Sequence, residues 1–286
     1  MGRVKPLHIF KYKIMAINVN TVYQTVLLIL NKEQRGYMTP AEYNRIATQS
    51  QLDIFEQYFD DLNQQLRVPQ VDLDYSDRQL NIDEKISTFK TFGNCTYDSN
   101  SSSWSLPTTD TYSNTVIYTG QEPTANQVSF YKLGTVTYNP ITGLPVELQR
   151  LPRIDFYNIE RSKLTASTKH FPTYLYENKK LYVRPTSINQ AGDITVDFLR
   201  KPKNIVWSYW VSDITGAYIY NGGGTQPPNT TGPFPSTGSQ NFELQESEQT
   251  RLILKILLYA GIVIRDPQIV QAAASEVQQN EINQKS

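Results

Sequence analysis

Two histidines, His8 and His170, and one cysteine, Cys95, are the whole supply of the side chains most often recruited as acid–base catalysts, soft nucleophiles and zinc ligands. Neither histidine stands in an HExxH pair, so nothing in the spacing supports a metalloprotease-type zinc centre. His170 lies between Lys169 and Phe171-Pro172, the setting of a loop or partly packed imidazole rather than a catalyst. Cys95, in Gly93-Asn94-Cys95-Thr96, lacks the context of a nucleophile and reads as an inert thiol. A lone cysteine also builds no internal disulfide, so stability must come from packing or assembly. Carboxylates offer a further route, because two acids can flank a glycosidic bond. The clusters are Asp60-Asp61, Asp72-Leu73-Asp74 and Asp83-Glu84, each in or beside a solvated stretch, and we read them as surface charge. Gly222-Gly223-Gly224 has no following lysine or helix and is a flexible turn, not a phosphate cradle. The expectation is no catalytic, cofactor-binding or metal-ligating residue.

Charge gives no overall drive toward nucleic acid, since 27 Lys and Arg balance 27 Asp and Glu. Cations do concentrate in the second half of the 69–211 segment: Arg150, Arg153, Arg161, Lys163, Lys169, Lys179, Lys180, Arg184, Arg200, Lys201 and Lys203. They could line a DNA channel, though a solvated or ion-paired face is the simpler reading, and which of them would face a channel stays unknown. The 19 tyrosines in a chain that is only 39% hydrophobic suit wide, wet protein contacts. No run approaches the roughly 20 apolar residues of a membrane span, and the broken apolar stretch after Met1 makes no signal peptide.

The elements that must position these groups fall into three textures. Residues 1–16 form an N-terminal extension, and 17–68 a helical region. In the latter, Val22, Val26, Ile29 and Leu30 recur at helical spacing, and Thr39-Pro40-Ala41-Glu42 spells a capping box. Its second helix carries Tyr43, Ile46, Ala47, Ile54, Phe55, Tyr58, Phe59, Leu62 and Leu66 as a stripe. Residues 69–211 alternate like short strands, with turn signals at Asn139-Pro140, Thr142-Gly143, Glu177-Asn178-Lys179 and Asn189–Gly192, and form a β domain containing two hairpins. Residues 212–240 read as a long Gly/Pro-rich loop, whose Tyr218, Tyr220 and Phe234 are candidate subunit-interface residues. Residues 241–286 hold C-terminal helices that pack with the N-terminal ones: one apolar around most of its circumference, and one begun by Asp266-Pro267. The fold class is therefore α+β, a bundle of N- and C-terminal helices with a central antiparallel β domain.

Three stretches together resemble structural proteins of crAss-like and related short-tailed bacteriophages. They are Asn31–Pro40 with Gln57–Asn63, then Tyr131–Gly134 through Leu181–Pro185 to Phe198–Pro202, then Phe242–Leu244 with Leu254–Gly261 and Asp266-Pro267. The likeness spans most of the chain in order, apart from 1–14 and 212–240. It implies a head–tail connector protein, a neck ring or adaptor that is a virion component with no enzyme activity. It further implies a homo-oligomer, a 12-mer ring, that meets the portal protein and other neck or tail rings while genomic DNA passes through without sequence-specific binding, and no membrane partner. Two rivals remain open at this point: a receptor- or glycan-binding tail protein, and a tail-associated hydrolase.

Overall fold

The computed structural model describes residues 16–32, 37–65, 78–118, 121, 123–124, 126–263 and parts of 271–282. Residues 1–15 of the N-terminal extension, the acids Asp72 and Asp74, and the helix start at Asp266-Pro267 lie outside the described residues. The fold is mixed α and β with several antiparallel sheets. The chain divides into two compact units, a discontinuous one of Met1–Lys85 with Lys203–Ser286, and an inserted one of Ile86–Pro202.

The discontinuous unit begins with α1 (Val19–Lys32). The Asn18 side chain caps it, accepting hydrogen bonds from Asn20 N at 2.8 Å and Thr21 N at 3.2 Å. Val19, Val22, Tyr23, Val26 and Leu30 form its buried face, while Leu28 is exposed. Helix α2 (Pro40–Gln65) opens on the capping box expected at Thr39. Glu42 N donates to Thr39 Oγ1 at 3.3 Å, and Thr39 N donates to the Glu42 carboxylate at 2.9 Å. Thr39 Oγ1 also donates to the Glu42 carboxylate, at 2.7 Å, and that bond, with the one from Thr39 N, holds the carboxyl below the usual carboxylate range. Tyr43, Ala47, Ile54, Phe55 and Tyr58 are buried as the stripe requires. Helix α3 (Arg78–Ser87) lies where a β domain was expected. Ile82 and Ile86, four residues apart, are its buried residues.

The inserted unit contains β1 (Lys90–Asn94), β2 (Thr96–Asp98), β3 (Ser103–Ser105), β4 (Thr115–Ile117), β5 (Gln127–Tyr138), β6 (Val146–Glu147), β7 (Gln149–Arg150), the short α4 (Arg153–Asn158), β8 (Thr173–Glu177), β9 (Lys180–Arg184) and β10 (Ile194–Arg200). One sheet runs β1-β10-β5-β4, with β6 also on β5, and the other β2-β3-β9-β8-β7. Inward residues of both sheets, among them Val136, Ile194 and Val196 from the first and Trp104, Leu181 and Val183 from the second, form one core around Cys95. Glu177-Asn178-Lys179 makes the tight hairpin between β8 and β9, with Asn178 at φ 50° and Lys179 at φ 59°, the left-handed pair of a type I′ turn. Asn139–Gly143 lies in the connection that lets β6 return antiparallel on β5. Asn189–Gly192 does not close a hairpin, because it carries the chain from β9 in one sheet to β10 in the other.

After Pro202 the chain returns along α2. Asn44, Thr48 and Gln51 lie on one face of that helix and hold an extended segment by its backbone. Trp207 N donates to Asn44 Oδ1 at 2.7 Å, Ile205 N to Thr48 Oγ1 at 3.0 Å, and Gln51 Nε2 to Lys203 O at 2.9 Å. The other end of the Gln51 amide accepts from Glu243 N at 2.9 Å.

Residues 212–240 are not a structureless loop. β11 (Tyr209–Ser212), β12 (Tyr218–Tyr220) and β13 (Thr230–Phe234) form a three-stranded antiparallel sheet in the order β12-β11-β13. The strands are short and two are edges, which is where Gly232 and Pro233 are tolerated within β13. Asn221 ties the excursion closed. Its Nδ2 donates to Ser208 Oγ at 3.2 Å and its carbonyl accepts from Ser239 Oγ at 2.6 Å, while Ser208 Oγ donates to Pro235 O at 2.9 Å.

A 3₁₀ turn at Glu246–Glu248 leads into α5 (Gln249–Val263), which packs on α1 and α2. Glu248 does not serve the helix terminus as an isolated acid. It is buried between Lys85, at 2.6 Å, and Arg251, at 3.5 Å, and Arg251 also donates to Gln57 Oε1 at 2.7 Å. Leu252, Ile256, Leu257 and Ala260 are buried, but Leu254 and Leu258 are half-exposed, so α5 is enclosed on fewer sides than its composition suggested. No helix among the described residues is long and apolar enough to cross a membrane.

Candidate functional site

Two of the three candidate interface residues, Tyr218 and Phe234, meet the ring of Tyr209, and the third, Tyr220, faces Tyr209 across the strand pair. The register of the sheet places Tyr209 opposite Tyr220 on one side and Phe234 on the other. Alternation along the strand puts Tyr209 and Trp210 on opposite faces, and Trp210 is the buried one. The Tyr209 ring meets Tyr218 edge-on at 4.8 Å and Phe234 at 6.1 Å. Tyr220 stacks instead on Trp207, at 5.7 Å and 26°.

Trp207 links this surface to the interior. It stacks on Tyr209 at 5.7 Å and packs on Tyr23 at 4.4 Å, and Tyr23 packs on Tyr43 at 4.6 Å. The series runs from Tyr43, fully buried, to Tyr218 and Phe234, which are 40% and 45% exposed. Its inner members are fixed by their polar atoms. Trp207 Nε1 donates to Asn20 Oδ1 at 3.0 Å, Tyr23 OH to Met38 O at 3.1 Å, and Tyr43 OH to Val19 O at 3.1 Å. Each ring pair contributes on the order of 1 kcal/mol beyond its buried area, so the surface rings stand on a rigid base.

Tyr37 adds a further ring, 58% exposed and close enough to Tyr23 for each phenol to affect the other's pKa. Burial raises the phenol pKa values of Tyr23, Tyr37 and Tyr209, and the neighbouring phenols raise that of Tyr23 further. These groups therefore stay protonated at neutral pH, as amphipathic rings that can both stack and donate hydrogen bonds. With Ile219 at the rim, the arrangement suits contact with another macromolecule.

The groups weighed for chemistry are placed differently. Cys95 is buried, which pushes its thiol up to about 12 and leaves no thiolate at neutral pH. His170 is exposed and lines a cleft of about 430 Å³ together with Lys169, Ile141, Leu144 and the buried Asp193. Asp193 accepts a hydrogen bond from Gln190 N at 3.0 Å, which shapes the turn before β10. Asp83 and Glu84 are exposed on α3, while the side chains of Asp60 and Asp61 lie outside the described residues. Among the described residues no cluster of three or more His, Cys, Asp or Glu could hold a metal ion.

The candidate cations mostly lie on the surface of the inserted unit. Arg150, Arg153, Arg161, Lys163 and Lys179 are exposed, whereas Arg184 packs over the Phe156 ring at 5.4 Å. The sequence singled out Tyr218, Tyr220 and Phe234 by their type, but not Trp207 and Tyr209, which join them to the core. The one available signal was the Trp207-Ser208-Tyr209 spacing of two, which puts both rings on one side of an extended chain. No protein-family model matches this chain, and no curated protein matches it.

Proposed function

We propose that this chain is a non-enzymatic virion structural protein, a subunit of a ring in the head-to-tail connector of a tailed bacteriophage. In this role it extends the DNA channel below the portal and joins capsid to tail. The observation that carries the reading is the aromatic series, which starts in the core at Tyr43 and surfaces at Tyr218, Phe234 and Tyr37. Rings held this firmly bind a partner with little loss of side-chain entropy. The resemblance over three stretches supplies the phage setting. In this reading the N- and C-terminal helices form a bundle that is the ring body, and the aromatic face docks on a neighbouring subunit. The ring is a 12-mer that contacts the portal protein and other neck or tail rings. Genomic DNA crosses its lumen without sequence-specific contacts, and the subunit is made in the host bacterial cytoplasm before joining the neck of the virion.

Cryo-EM of intact particles, with the neck reconstructed under its own symmetry, tests this. Density for the chain in a twelvefold ring around the channel is the expected result. A Tyr218→Ser, Phe234→Ser variant should fold normally and enter particles poorly, because both side chains lie at the surface, at the outer end of the aromatic series. Absence of the chain from the neck would overturn the reading. The exposed rings also favour one rival, a glycan-binding tail protein, since sugar faces stack on such rings, and density in peripheral fibres would select it.

A further inference from the structure

The charge of this neutral chain is unevenly divided. Residues 150–184 carry eight Lys and Arg against three Asp and Glu, leaving 19 against 24 over the rest. Part of this basic segment is a folded projection between β7 and β8. Phe156 anchors it, at 1% exposure, beneath the Arg184 guanidinium. Internal bonds hold its tip, with Thr165 Oγ1 donating to Ile159 O at 2.9 Å and Ser167 N to the Glu160 carboxylate at 3.2 Å. Its outer surface combines Arg161, Lys163 and Lys169 with apolar side chains left in water: Leu164 at 95% exposure, Phe171 at 80% and Ile154 at 76%.

The discontinuous unit has the opposite sign. The Lys85–Glu248–Arg251–Gln57 network draws together α2, α3 and the turn before α5. Exposed acids flank these residues, Glu56 beside Gln57, Asp83 and Glu84 beside Lys85, and Glu246 two residues before Glu248, and the other exposed positions next to them, Ser87, Ser247 and Thr250, are uncharged. Among the described side chains of this unit, Arg45 is the only exposed cation.

We infer that the basic, apolar projection of one copy docks on the acidic rim around Glu248 of a second copy. This rests on the assembly reading above and names a contact for it separate from the aromatic face. A second copy fits better than nucleic acid for two reasons. Phosphates would leave Leu164, Phe171 and Ile154 without a partner, whereas an interface between proteins has an apolar centre and a charged rim. The acidic surface of the discontinuous unit would also repel a polyanion. Because the two surfaces differ, the contact is heterologous, passing head to tail from copy to copy, which is the kind that closes into rings.

A charge swap on the full-length protein tests the contact. Arg161→Glu, Lys163→Glu, Lys169→Glu is one variant, and Glu56→Lys, Glu84→Lys, Glu246→Lys the other, with folding checked by circular dichroism. In sedimentation velocity, wild-type association should weaken as salt is raised to roughly 0.5 M. Each variant alone should associate about tenfold more weakly, and an equimolar mixture should recover wild-type association, because each copy then meets complementary charge on both sides. Failure of the mixture to recover would overturn the inference, as would a wild-type chain that stays monomeric at every salt concentration. Loss of binding to duplex DNA or anionic vesicles in the first variant, with self-association unchanged, would overturn it in favour of that ligand. Wild-type association by both variants, together with ring density in the particle, would remove this contact and leave the connector reading standing.

Discussion

Gln51 holds two distant pieces of backbone with one side-chain amide, and its removal has a computable cost. It is 1% exposed, donates to Lys203 O at 2.9 Å and accepts from Glu243 N at 2.9 Å. Removing the partner of a buried backbone N–H or C=O costs about 1–3 kcal/mol, lost bond included, so the two groups together cost about 2–6 kcal/mol. Gln51→Ala should therefore destabilise the discontinuous unit by about 3–4 kcal/mol. Gln51→Leu, which restores most of the volume but neither bond, should lose about 2–3 kcal/mol. The assay is urea unfolding followed by tryptophan fluorescence in a Trp104→Phe background, so that Trp207 and Trp210 report on this unit alone. With a slope of up to about 3 kcal/mol/M, a loss of 3 kcal/mol moves the midpoint down by at least about 1 M. Gln49→Ala is the control, since Gln49 is exposed and bonds only within the helix, to Asp53 at 2.8 Å, so its change should stay within about 0.5 kcal/mol. Gln51 variants as mild as that control would refute the argument that these amides join the return segment to α2.

Glu248→Ala strands the buried Arg251 and the partly buried Lys85, and should cost about 3–5 kcal/mol in the same unfolding assay. Gly93→Ala places a Cβ 2.6 Å from both Pro107 Cβ and Thr109 O, so β1 must shift. Thermal unfolding of the inserted unit should show a loss on the order of 2 kcal/mol or more. Burial raises the pKa values of Tyr23, Tyr43 and Tyr118 above the ordinary 10.0. Their contribution to stability is therefore intact below about pH 10 and is lost as pH rises beyond it. Absorbance at 295 nm should show these phenols ionising only together with unfolding.

Local signals were legible in the sequence and distant ones were not. The Thr39 and Glu42 capping box and the Asn178-Lys179 turn could be read because donor, acceptor and required backbone lie within four residues. Asn44, Thr48 and Gln51 resembled a solvated helix face, since their partners lie 163, 157 and 152 residues away. Helix α3 was hidden by having just two buried apolar residues in ten. Strands β12 and β13 were obscured by the glycines and prolines that mark turns elsewhere. At the aromatic surface, residue type alone pointed to Tyr218, Tyr220 and Phe234, but the stacking through Trp207 depends on a helix nearly 190 residues upstream.

The insertion at Lys85 and Lys203 orders events during synthesis. While the nascent chain lengthens, α1 and α2 leave the ribosome with their polar face unoccupied, because residues 203–207 and Glu243 have not yet been translated. The inserted unit holds all its own strand partners and can fold meanwhile. Completion of the discontinuous unit waits for the last part of the message, so a truncated product presents the uncovered Asn44, Thr48 and Gln51 face to chaperones and proteases.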